Sequence, residues 1–333
     1  MMQREGVKTL HPWLSHVLTR QIPCAALVAT MYMSLLWLGI IASQSPFLGI
    51  VAMLVAMVLN LMVPAVLGFV ALGGGVQFAI KVTWISALMV LLFSQFNVLV
   101  TVTFLLLYGM LPLAAVWVLA ADSERVGRSA QLLAVGIVLL LLIAMVASSV
   151  SQGSSFEVLM SEMMAPFFQS VSVGMTGSDA AELEALKKMT IWLMPGFLAF
   201  SLWGIWFSSL LLSYRWAVTY GCIQESEVSF LKLKLSRHVL LLLPLITAVA
   251  GVVSGSLQVV LVMLALTLAG MVAVQGVAVA HCWFKARNMG IAIVMMYIVL
   301  LLWTMMIVPF VIVGFLDIWF DFRRQTTPIN GGK

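Results

Sequence analysis

The polar side chains able to do chemistry in this chain are few, and the densest group stands near its end. The stretch Gly314-Phe-Leu-Asp317-Ile-Trp-Phe-Asp321-Phe-Arg323-Arg324 brings two carboxylates and two guanidinium groups close together. At helical spacing Asp317, Asp321 and Arg324 share a face, so a carboxylate–guanidinium pair is expected there. Trp319, Phe320 and Phe322 add the aromatic belt that marks a bilayer edge. Two readings follow: an interfacial stop and anchor, or a gate or docking site through which Asp317, Asp321, Arg323 and Arg324 meet a membrane-protein partner.

Three amides lie inside apolar runs. Asn60 stands four residues before Pro64, and Gln258 and Gln275 share a later run. An amide in hydrocarbon either bridges two helices by a hydrogen bond or binds a solute, so all three are candidate ligand residues. Pro64, Pro112, Pro195, Pro244 and Pro309 interrupt apolar runs as well. Broken helices expose backbone groups to a solute, as in transporters.

Catalytic chemistry has no visible footing. The chain lacks GxSxG, HExxH, GxxxxGK[ST] and GxGxxG patterns, so no catalytic residue, enzyme activity or cofactor is expected. Gly73–Gly75 reads as a tight turn. His281 and Cys282 are adjacent, so on a helix they diverge by about 100°, and no third ligand is near; no metal site is expected. Cys24, Cys222 and Cys282 have no CxxC spacing and imply no disulfide framework.

These residues must be positioned by elements that live in lipid. Only 9% of the 333 residues are charged, 63% are hydrophobic, and the mean hydropathy is +1.14. Soluble domains carry about 25% charge, so the outer surface here must face a bilayer. The net charge of +5 is scattered over short loops without a basic run, which argues against nucleic acid. A spanning helix needs about 20 apolar residues. By that measure the fold is all-α, a polytopic transmembrane helical bundle of about nine spans, within a range of eight to ten. Five lie in 1–149: Ile22–Ala42, Phe47–Leu72, Val76–Ser94, Val98–Ala121 and Ser129–Ser149. Four lie in 190–333: Thr190–Tyr214, His238–Val253, Ser256–His281 and Gly290–Leu316. The apolar run from about Gln21 exceeds a signal-peptide core and is expected to be a retained first span.

Between the two blocks, 150–189 is the one long polar stretch. With the N-terminus in the cytoplasm, the inner segments gather Arg4, Lys8, Arg20, Lys81, Arg125, Arg128, Arg215, Lys232, Lys234, Arg237, Lys285 and Arg287, as the positive-inside rule requires. The 150–189 loop then lies outside. The tail DFRR would lie outside too, against the rule, unless the last apolar stretch turns back near Pro309. Within the loop, Phe156, Leu159, Met160, Met163, Met164, Phe167 and Phe168 recur at helical spacing. They form an amphipathic helix that lies on the membrane or caps the bundle, with Met163 and Phe167 as its lid residues. Asp179 and Glu182 mark a second helix start, Glu184 pairs with Lys187 and Lys188, and that helix runs into the sixth span, kinked at Pro195–Gly196.

The closing pattern, GVAVAHCWFKARN before a last long span ending GFLDIWFDFRR, resembles the YybS-like bacterial membrane proteins. Pro46, Pro64, Gly73–Gly75 and LLYGMLP at Leu106–Pro112 resemble that family too. The family is loosely similar to the S components of energy-coupling-factor transporters. The resemblance implies a helical fold holding a small molecule between helices beneath an external loop, in a bacterial inner membrane. The function expected is therefore binding or transport of a small solute; the alternative is a structural or assembly protein that recruits partners through its loops and tail.

Overall fold

The computed structural model describes residues 11–42, 46–121, 126–154, 158, 160–162, 164–165, 168, 178–223 and 230–323. Helices dominate, and no strand occurs among the described residues. That is what hydrocarbon demands, since each backbone N–H and C=O there needs a partner inside the protein. The elements are α1 (Pro12–Thr19), α2 (Gln21–Ala42), α3 (Pro46–Gly74), α4 (Val76–Phe93), α5 (Val98–Thr103), a π-helical segment Phe104–Met110, α6 (Leu111–Ala121) and α7 (Val126–Gln152). After the 150–189 region begins comes α8 (Ser178–Thr219), then α9 (His238–Ala250), α10 (Ser256–Ala286), α11 (Gly290–Leu302) and α12 (Ile307–Phe320).

Among the described residues, seven helical stretches are long and apolar enough to span a membrane: Gln21–Ala42, Phe47–Gly74, Val76–Phe93, Val98–Ala120, Val126–Gln152, Leu183–Thr219 and Ser256–Ala286. The chain is a multi-pass helical membrane protein. Nine full spans are not confirmed among the described residues. The seventh expected span, His238–Val253, is the 13-residue α9, and the ninth divides into α11 and α12. As expected, a helix start near Asp179 feeds the sixth span; α8 runs unbroken for 42 residues, through Pro195. Met163, Phe167 and Arg324 lie outside the described residues.

The chain forms two compact units that do not follow its order. Met1–Leu133 and Trp203–Lys232 make the first; Ala134–Leu202 and Leu233–Lys333 make the second. The division therefore falls inside α7 and α8, whereas the sequence pattern divides at the 150–189 loop.

In the first unit, small residues let helices approach closely, as lipid-embedded packing favours. Cys24, Ala25, Val28 and Ala29 on α2 are buried, as are Ala79, Val82, Thr83, Ser86 and Ala87 on α4. The Ser86 hydroxyl donates to the Ala25 carbonyl at 3.1 Å. Likewise Ser209 donates to the Leu61 carbonyl and Ser213 to that of Ala65, both at 2.8 Å, so α8 packs beside the Pro64 region of α3. A Cβ on Gly68 would overlap the Ser213 side chain.

In the second unit the last apolar stretch turns back. His281 Nδ1 lies 3.1 Å from the Tyr297 hydroxyl, and Gln275 donates to Asp317 at 2.8 Å. One straight helix would hold Tyr297 and Asp317 about 30 Å apart, yet their partners on α10 are only about 9 Å apart along its axis. The chain reverses between them at Trp303–Met306, where Trp303 has extended backbone (φ −131, ψ 92) and a single 3-10 turn follows. α12 crosses α10 where Gly314 meets Gly276, and a Cβ on either would overlap a carbonyl, of Val272 or of Phe310. Arg323 reaches the Leu233 carbonyl, so the turn that follows α12 lies beside segment 233–235.

Candidate functional sites

Near the C-terminus a carboxylate–guanidinium pair joins Asp317 and Arg323, while Arg324 lies outside the described residues. α12 ends at Phe320, where Asp321 takes a left-handed conformation (φ 47, ψ 55). The turn swings Arg323 back onto Asp317 at 2.8 Å. Asp321 turns away to Lys234 at 2.6 Å.

Around Asp317 a buried knot forms. One carboxylate oxygen accepts from the Phe322 N–H at 3.1 Å, the other from Gln275 and Arg323, each at 2.8 Å. The Gln275 carbonyl oxygen accepts from the Leu235 N–H at 2.9 Å, and Arg323 also donates to the Leu233 carbonyl at 2.8 Å. Gln275 and Asp317 are wholly buried and the Arg323 side chain is 15% exposed. A buried charge is tolerable only when paired and hydrogen-bonded, and this one is. The knot pins segment 233–235, α10 and α12 to one another. Its groups are committed to the fold rather than turned toward a ligand. Gln258 is engaged too, donating to the last carbonyl of α9, at Ala250, over 3.0 Å. It closes the turn between α9 and α10.

Asn60 is different. Its carbonyl oxygen accepts from the Tyr108 hydroxyl, while its amide nitrogen has no acceptor among the described residues. The side chain is half-buried in the middle of α3. Beside it the fourth span is locally rewound. The Leu111 N–H bonds to the Leu106 carbonyl in π-helical fashion, so the Leu107 carbonyl loses that α-helical donor. The next nitrogen belongs to Pro112, which has no hydrogen to give. Trp206 Nε1 supplies the missing bond, donating to Leu107 at 2.6 Å. Single π-helical turns concentrate at functional sites.

Aromatic rings surround this break. Tyr108 lies between Tyr32 and Trp206, with ring centroids 5.0 and 5.2 Å away, and Phe104 is 4.9 Å from Tyr32. Tyr32 donates to the Val100 carbonyl at 3.3 Å. The arrangement joins flat apolar faces to an open amide donor. Sequence reasoning named Asn60 but missed Tyr32, Tyr108 and Trp206. The signal lay in LLYGMLP, where Gly109 and Pro112 stand three residues apart.

Elsewhere in the first unit, Ser15, Thr19, Phe69, Gly73, Phe78 and Cys222 border a largely apolar cavity of about 230 Å³. His281 and Cys282 join no metal-binding group, and no set of three such ligands occurs among the described residues. The cysteines are free.

Fold and polar sites together define an integral, multi-pass α-helical membrane protein. No family model matches the chain, and no curated protein or solved structure matches it either.

Proposed function

We propose that this protein binds, and passes across a bacterial inner membrane, a small neutral solute, with no catalysis of its own and with its N-terminus in the cytoplasm. The Asn60 amide nitrogen carries this reading. A donor left open at membrane depth is costly, and here it opens beside tilted and edge-on aromatic rings and a rewound helix. A solute with a flat apolar body and a carbonyl or ring-nitrogen acceptor would satisfy it. The turn at Trp303–Met306 supports the same reading, since discontinuous helices are the means by which transporters handle solutes. So does the resemblance to YybS-like proteins and S components.

A thermal-stability screen of the purified protein tests the proposal, because a ligand that binds only the folded state raises the melting temperature. Neutral heteroaromatic amides and vitamin-like compounds are the library. At least one should stabilise the protein saturably; a library-wide absence of stabilisation rejects the proposal.

A further inference from the structure

A second site lies in the other unit, at one end of the apolar part of α8. From Met189 to Tyr214 there is no Asp, Glu, Lys or Arg, a run of about 39 Å at helical rise. Lys188 bounds it at one end, where a lysine meets the polar edge of a bilayer. Trp192 lies one turn inside Lys188, at the depth where indoles gather. The Lys188 ammonium sits 5.5 Å from the Trp192 ring centroid.

At this edge Ser161, Glu184, Lys187, Lys188, Ile191 and Trp192 line a groove of about 450 Å³. Two ammonium groups and a hydroxyl stand at its polar end, and Ile191 and Trp192 make its apolar side. Glu184 balances one lysine only. Its contact with Lys187 is 3.7 Å long and Glu184 is 75% exposed, so a stronger anion can displace it. The Ser161 hydroxyl donates its proton to the Val158 carbonyl at 2.8 Å, so the two lysines are the donors that an anion meets in this groove.

We infer that this groove holds the phosphate of an anionic phospholipid, with Lys187 and Lys188 on the headgroup and the acyl chains along Ile191 and Trp192. Paired lysines give charge, the indole and isoleucine give an apolar wall, and the depth matches a headgroup. A free phosphate ester would meet the same lysines but would gain nothing from the apolar wall. This site is independent of the solute site at Asn60.

The test is binding of short-chain phosphatidylglycerol to the purified full chain, read by native mass spectrometry and by the shift in melting temperature. Short-chain phosphatidylcholine and glycerol phosphate are the comparison ligands. Phosphatidylglycerol should bind saturably, and Lys187→Ala with Lys188→Ala should weaken it about tenfold or more, while Lys187→Arg with Lys188→Arg retains binding. Equal binding of phosphatidylcholine overturns the inference, as does equal binding of glycerol phosphate. Undiminished phosphatidylglycerol affinity in the double alanine variant also overturns it.

Discussion

Replacing Asp317 with alanine isolates the buried knot. The substitution removes at once the carboxylate shared by the Arg323 guanidinium, the Gln275 amide and the Phe322 N–H; Arg323 keeps the Leu233 carbonyl but loses its counter-charge. Arg323 is only 15% exposed on its side chain, so water does not readily replace the carboxylate. Removing one partner of such a pair costs about 3–5 kcal/mol, because the other charge stays buried and uncompensated. Removing Arg323 as well takes away that charge, so Asp317→Ala with Arg323→Ala should cost less than the two single losses added together. The difference is the coupling energy of the pair. Reversible unfolding in mixed micelles, followed by tryptophan fluorescence, gives all four stabilities. Asp317→Ala within about 1 kcal/mol of the wild type, the range of an exposed pair, would refute the reasoning. So would strictly additive single and double variants.

Other consequences follow from the packing. Gly276→Leu or Gly314→Leu must separate α10 from α12, so folded protein on size-exclusion chromatography should fall sharply, whereas Gly39→Ala, which meets open space, should leave it unchanged. Trp206→Phe strands the Leu107 carbonyl and should lower unfolding stability by about 1–3 kcal/mol. With the native cysteines replaced, Lys232→Cys, Arg287→Cys and Phe322→Cys should all react with an impermeant maleimide from one face of sealed vesicles. Labelling of Phe322→Cys from the opposite face would contradict the turn at Trp303–Met306.

Much of the architecture is legible in the apolar runs because lipid leaves the backbone so few choices. The turn at Gly73–Gly75 is one such feature: Gly75 has φ 88, ahead of α4. The last stretch was harder to read. Its apolar run passes through Leu-Trp-Thr-Met-Met without a glycine or proline, so composition offers no break there. The clue was Pro309, which lies in the first turn of α12. A proline is tolerated there because its missing N–H has no helical partner to lose. Read as a helix start rather than a kink, it requires a break just before it. The Arg323 partner of Asp317 was hidden for a related reason. Face-sharing assumes that the helix continues, and Asp321 ends it one residue past Phe320. Asn60 was visible as a lone amide, but its aromatic surroundings come from helices far apart in sequence, through a π-helical turn whose register periodicity does not show.

The solute site is the central claim, and calorimetric titration of the best stabilising compound tests it most directly. The protein is held in lipid nanodiscs, and the wild type is compared with Asn60→Leu, Tyr108→Phe and Gln258→Leu. Wild type and Gln258→Leu should bind one solute per chain with equal affinity, while Asn60→Leu loses binding and Tyr108→Phe weakens it. Unchanged stoichiometry and affinity in Asn60→Leu would contradict the account.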